Sequence, residues 1–90
     1  MFQINYTTKF KKDFKVVSKR NHDIHLLKQI IALLTETGTV PEKYLPHKLK
    51  GKYNDSMECH IQPDWLLIWI IDEESNEIWL VRTGTHSDLF

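Results

Sequence analysis

Seven consecutive apolar residues, Trp65-Leu66-Leu67-Ile68-Trp69-Ile70-Ile71, constrain this ninety-residue chain more than any other feature. The run is apolar on both faces, as a central strand is. It is far too short to span a bilayer. A bend at Pro63-Asp64 precedes it, and the polar stretch Asp72-Glu73-Glu74-Ser75-Asn76 turns it back into a strand from Glu77 to Thr83. Upstream, Met57, Cys59 and Ile61 alternate with Glu58, His60 and Gln62, and His47 to Lys50 reads as a short strand ending at Gly51.

Before residue 46 the period is different. Phe2, Ile4 and Tyr6 alternate as a first strand, after which Thr7 or Thr8 can cap a helix. Phe10, Phe14 and Val17 then follow at helical spacing, with Lys11, Lys12, Lys15 and Lys19 on the other faces. Asn21 is expected to cap a second helix with the stripe Ile24, Leu27, Ile30, Ile31 and Leu34, and Gly38 to stop it. Thr39 to Pro46, with its two prolines, reads as a loop. These elements give an α+β fold: an N-terminal strand and a two-helix hairpin on one face of a four- to five-stranded antiparallel sheet, with residues 1–90 as one domain.

Strand parity then places the polar groups. With Cys59 and Ile61 facing the helices, His60 faces the other side. Arg82 is expected to join it on that open face, because burying an unpaired guanidinium is costly. Asp64 and His86 lie just beyond strand ends, within reach of the same groove. Trp65, Trp69 and Trp79 are expected in the core, and His22 and His25 on the surface.

A chain of this length buries about 60–65% of its unfolded surface. One cysteine, Cys59, allows no internal disulfide, and the Met1–Phe14 stretch is too charged for a signal peptide, so a soluble cytoplasmic protein with no membrane association is expected. The zero net charge hides an asymmetry. Residues 1–52 carry eleven Lys/Arg against four acids, a balance of +7, and residues 53–90 carry one against eight, a balance of −7. Opposed halves suggest a basic face for a polyanion, although lysine-rich helices also simply have solvated outer faces.

His47, His60, Asp64, Arg82 and His86 supply what metal-free RNA cleavage needs. A base takes the proton of a ribose 2′-OH, a cation steadies the phosphate oxygens, and an acid protonates the departing 5′-oxygen. Histidine suits both proton transfers, and arginine's planar fork suits the phosphate. Taken singly, His47 fits a structural role beside a proline turn, His60 a packed strand, Asp64 a turn, and Gly84 a bend. Phe90 either stacks on a base or covers the sheet edge. His47, His60, Asp64 and His86 would also give zinc three nitrogens and one oxygen, but they fall in no standard spacing, and Arg82 disfavours a cation. No metal or other cofactor is expected, and Cys59, pointing into the core, is no nucleophile.

Three strings, His47-x-Leu49-x-Gly51, Glu58-Cys59-His60-Ile61-x-Pro63-Asp64-x-Leu66-Leu67-Ile68 and Arg82-x-Gly84-Thr85-His86-x-x-Leu89-Phe90, resemble the YafQ-like branch of the RelE toxins. The resemblance spans the chain, specific from His47 onward and generic across the helical hairpin. It implies the toxin of a type II toxin–antitoxin system: an endoribonuclease that enters the ribosomal A site and cuts the messenger RNA there. It also implies a small antitoxin of the DinJ/RelB kind. A histidine-rich site is implied at His47, His60, Asp64 and His86, assisted by Arg82 and Phe90. On this footing His86 is the general acid, Arg82 holds the scissile phosphate, Asp64 orients the 2′-OH or a histidine, and Phe90 stacks on a base. The spacing leaves the base open between His60 and His47. Lys48, Lys50 and Lys52 would grip ribosomal RNA, a contact that weakens with salt. Met57 stands where relatives tend to carry arginine, and Trp69 where they read tyrosine. The alternative is a relative of the ParE kind, which poisons DNA gyrase by binding it and needs no imidazole cluster.

Overall fold

A computed structural model describes all ninety residues. In chain order the elements are β1 Gln3–Tyr6, α1 Thr8–Lys19, α2 Ile24–Thr37, β2 His47–Lys48, β3 Met57–Gln62, β4 Trp65–Asp72, β5 Glu77–Gly84 and the short helix α3 His86–Leu89. Single 3-10 turns at Glu42–Tyr44 and Gly51–Tyr53 flank β2. The five strands form one sheet in the order β1-β5-β4-β3-β2, which puts the apolar run at its centre.

The sheet is antiparallel except at one edge, where β1 runs parallel to β5. Alternation cannot reveal this, because a strand's period is the same in either direction. The chain leaves that edge through Thr7, whose N–H and Oγ1 donate to the carbonyls of Leu80 (3.1 Å) and Val81 (2.8 Å). The Thr7 hydroxyl also accepts from the Phe10 N–H at 3.0 Å and so caps α1. The cap of α2 is Asp23, which accepts from the His25 N–H, and not Asn21. Asn21 sits at φ 63 and makes the reversal between the helices, a conformation that asparagine tolerates better than most residues. Gly38 ends α2 at φ 75, where any side chain would run into the Phe2 ring.

The central strand is apolar on both sides because both sides are covered. On the helix side, Trp65, Leu67 and Trp69 pack with Phe10, Val17, Leu27, Ile30 and Leu34. On the other, Leu66 and Ile68 lie under Tyr53 and Leu89. Each fully buried large side chain contributes about 1.5–3 kcal/mol, so the second cluster ties α3 and the Gly51–Tyr53 turn down onto the sheet. That face is therefore not open along its length.

Two placements differ from expectation. Trp79 is 42% exposed, because it points away from the helices near a strand end that the second cluster does not reach. His22 is half-buried rather than superficial. Its ring meets Trp65 edge-on at 4.7 Å, and its Nδ1 is shielded from water without a partner. No helix is long and apolar enough to cross a membrane.

A bulge in β5 decides where Arg82 goes. Trp69 pairs with Leu80 but Ile68 pairs with Arg82, so Val81 is an extra residue. Strict alternation would put Arg82 on the side of Ile78 and Leu80, in the helix-facing core. The extra residue moves it to the side of Ile68, which is also the side of His60 through the pairing of His60 with Leu66.

Candidate active site

Three imidazoles stand in a row where β2, β3 and α3 converge. The His47 and His60 ring centroids are 6.3 Å apart, and those of His60 and His86 are 5.9 Å apart. His47 comes from β2 beside the edge of β3, His60 from the outward face of β3, and His86 from the first position of α3.

Each ring is held differently. His86 donates from its backbone N–H (2.9 Å) and its ring Nδ1 (2.6 Å) to the same oxygen, Oδ1 of Asp64. A carboxylate can only accept, so the ring proton sits on Nδ1 and Nε2 is left for chemistry. These two bonds, the backbone one first, hold the Asp64 carboxyl below its ordinary range. The capping box of α3 fixes the same turn from the other side. Thr85 Oγ1 accepts from the Asp88 N–H, and the Asp88 carboxylate accepts from the Thr85 N–H. Arg20 at the end of α1 reaches Asp88 Oδ2 at 2.6 Å, and this pair holds the Asp88 carboxyl down to about 2.

His47 is engaged on both nitrogens. Nδ1 donates to the Leu45 carbonyl at 2.9 Å, and Nε2 faces Oε1 of Glu58 at 3.2 Å. Leu45 adopts φ 55 and ψ 52, a left-handed conformation that an L-residue of this size avoids, yet it is 58% exposed. The conformation closes the Glu42–Tyr44 turn, with the Leu45 N–H on the Glu42 carbonyl at 2.9 Å, and it also turns the Leu45 carbonyl toward His47. Glu58 is 4% exposed, and its second oxygen has no partner. His60, in the middle, has only the Pro63 carbonyl near Nδ1, at 3.3 Å.

Arg82 is on the expected side, but its guanidinium is largely committed. Nε and Nη2 bond the Asp13 carboxylate of α1 at 2.6 and 3.0 Å, and Nη1 reaches the Tyr53 hydroxyl at 3.4 Å. Asp13 keeps the guanidinium charged. The end of the fork retains one free hydrogen on each terminal nitrogen. Tyr53 donates to the Leu89 carbonyl and meets the Phe90 ring edge-on at 5.3 Å, which leaves Phe90 59% exposed. Lys48, Lys50 and Lys52 are all exposed along β2 and the following turn. Burial, and then the Glu58 charge, pushes the Cys59 thiol up to about 12, so it carries no nucleophilic chemistry.

The structure thus brings His47, His60, Asp64 and His86 together, while Tyr53 joins Arg82 to Leu89 and Phe90 at the far end of α3. Sequence reasoning passed over Glu58, Asp13, Tyr53 and Leu45. Glu58 shares the strand face of His60 two residues away, and Asp13 is the sole acid in a lysine-rich helix; both were visible signals. Tyr53 and Leu45 carried none.

A family model described as the bacterial toxin of a type II toxin-antitoxin system, YafQ, matches residues 2–90. The chain belongs to the YafQ toxin family. The mRNA interferase toxin YafQ of Escherichia coli K12 is 35% identical over 88 residues, covering 97% of this chain and 94% of that one. The metal-bound toxin from Helicobacter pylori superposes with a TM-score of 0.90 at 40% identity, covering both chains in full. In the E. coli DinJ-YafQ complex the matched chain superposes at 0.89 with 33% identity, covering 100% of this chain and 99% of that one. In the present YafQ-family chain no three His, Cys, Asp or Glu side chains stand close enough to hold a metal ion.

Proposed function

We propose that this chain is an mRNA interferase, a ribosome-dependent endoribonuclease that cuts the message in the A site by acid–base catalysis using its own side chains. The observation that carries this reading is the Asp64-anchored ring of His86, 5.9 Å from an uncommitted His60. His60, with no carboxylate partner, takes the proton of the ribose 2′-OH through Nε2. The 2′-oxygen attacks phosphorus, and the bond to the 5′-oxygen breaks as His86 Nε2–H delivers its proton to that leaving oxygen. The products are a 2′,3′-cyclic phosphate and a 5′-hydroxyl. His60 ends protonated and His86 neutral, and exchange with water restores both.

His47 does not serve as the base here, because Leu45 and Glu58 occupy both its nitrogens. Held by those two contacts, its ring stands in a fixed orientation beside the phosphate. The free end of the Arg82 fork supplies a positive group, and Phe90 stacks on a base. Lys48, Lys50 and Lys52 hold ribosomal RNA, and burying the message in the A site supplies the positioning that a 90-residue surface cannot.

The partner that silences it is a small antitoxin of the DinJ kind, in line with the matched E. coli complex. An apolar groove of about 480 Å³ between α1 and α2, floored by Phe10, Phe14 and Ile31 and rimmed by Lys11, Lys15 and Lys28, fits an acidic amphipathic segment of such a partner.

The test is to induce wild type and His86→Ala in bacteria lacking the antitoxin and to map 5′ ends across translated messages. In-frame cuts with 5′-hydroxyl ends that vanish in the variant are expected. Growth arrest without new 5′ ends, unchanged by the substitution, overturns the proposal and moves it to a gyrase-binding toxin of the ParE kind.

A further inference from the structure

A second groove, of about 510 Å³, opens between the Glu42–Tyr44 turn and the end of β3. Its walls include Lys43, Tyr44, Leu45, His60, Gln62 and Pro63, so it begins at the central imidazole of the site. Tyr44 offers a half-buried ring, with the Lys43 ammonium 5.1 Å from its centroid. Gln62 is exposed and carries both a donor and an acceptor. Leu45, the strained residue whose carbonyl orients His47, forms part of the wall, so the groove and the site share one structural element.

We infer that this groove holds the base of the nucleotide immediately 5′ of the cut, and that Gln62 reads that base's edge. The inference rests on the ribonuclease assignment above and adds to it a direction for the RNA strand. The attacking 2′-OH belongs to the nucleotide 5′ of the scissile phosphate, and His60 takes its proton. The leaving 5′-oxygen belongs to the nucleotide on the 3′ side, next to His86 and, four residues on, Phe90. The groove is lined by His60 and not by His86, so it lies on the 2′-OH side of the reacting phosphorus.

The residue types suit a base. Every base has a π-face for Tyr44, an amide can pair with donor–acceptor edges, and Lys43 at the rim meets the preceding phosphate. Phe90 then takes the base on the other side of the cut. The two bases flanking the phosphate are held by different elements, the Glu42–Tyr44 turn and the end of α3.

The experiment uses a purified translation system and a message carrying all codons in frame, comparing wild type, Gln62→Ala, Tyr44→Leu and a hairpin control, Glu73→Ala. Cut positions are read by sequencing 5′ ends, and KM is measured on one strong site. Gln62→Ala is expected to flatten the base bias at the position just upstream of the cut while the downstream bias persists. Tyr44→Leu is expected to raise KM roughly tenfold, the equivalent of one lost stacking contact. Gln62 is exposed, so its variant tests the subsite without depending on refolding of the core. A wild type that cuts, with a Gln62→Ala profile superimposing on it or altered only downstream, overturns the subsite alone. A wild type that makes no cuts overturns the ribonuclease assignment and the subsite with it.

Discussion

One oxygen of Asp64 accepts two hydrogen bonds from a single residue, the backbone N–H of His86 at 2.9 Å and its ring Nδ1–H at 2.6 Å. The bend between β3 and β4 thereby fixes both the start of α3 and the rotamer of its first side chain. In the proposed reaction Asp64 acts through His86 and not as the base. Asparagine can still accept both bonds but lacks the charge that balances a protonated ring. Asp64→Asn is expected to lower kcat about tenfold, and Asp64→Ala about 100-fold, within the range of a full proton-transfer role. Cleavage rates in a translation system check this; an alanine variant as fast as wild type removes Asp64 from the site.

Glu58 holds His47 from inside the sheet. Its side chain is 5% exposed, and one of its oxygens bonds nothing. Glu58→Ala removes an unsatisfied buried atom together with a contact, so stability is expected to change by only about 1 kcal/mol. Loss of the His47 orientation is expected to cost roughly 10–100-fold in kcat/KM, with Glu58→Gln closer to wild type. Urea unfolding and cleavage kinetics on the same samples separate the two effects. A large stability loss with unchanged kinetics would make Glu58 purely structural.

The Arg82–Asp13 pair is partly buried, at 18% and 14% side-chain exposure, and bidentate. An exposed pair contributes about 0–1 kcal/mol and breaking a fully buried one costs about 3–5 kcal/mol. Asp13→Ala, which also strips an acceptor from the Thr83 N–H, is expected to lie between, at about 2 kcal/mol. The urea midpoint reports it. A change within error of zero shows that water already screens the pair.

Acid should loosen α3 first. The folded-state Asp88 carboxyl is held down to about 2 by Arg20, below the roughly 3.9 of an unfolded aspartate. Its contribution is therefore fully present above about pH 4 and is lost as pH falls toward 2. Asp64, shifted in the same direction by His86, adds to that loss. Melting temperatures of wild type should drop more steeply between pH 4 and 2 than those of Asp88→Asn. Parallel curves for the two proteins would remove the clamp from the acid response.

The residue types that meet at the candidate site were legible in the chain, but not which partners hold each of them. Parity put His60 opposite Cys59, and the bend at Pro63-Asp64 and the helix stop at Gly38 stand where local chemistry requires them. The cap of α2 moved from Asn21 to Asp23 because two acceptors compete within three residues, and the tighter reversal needed the left-handed one. The difference between His47, held by Leu45 and Glu58, and the less engaged His60 was not visible in spacing, since those contacts exist only once β2 lies beside β3.

The sequence by itself determined a helical hairpin on a sheet, a central strand apolar on both sides, and a set of groups fit for phosphate chemistry, because periodicity, capping and residue chemistry are local properties. Only the tertiary structure decided that β1 runs parallel to β5, that a bulge at Val81 swings Arg82 out of the helix-facing core to meet Asp13, and that Asp64 and His86 share hydrogen bonds across 22 residues of chain. Those outcomes depend on which surfaces satisfy one another's donors, acceptors and apolar area when distant segments meet, and no local pattern carries that information.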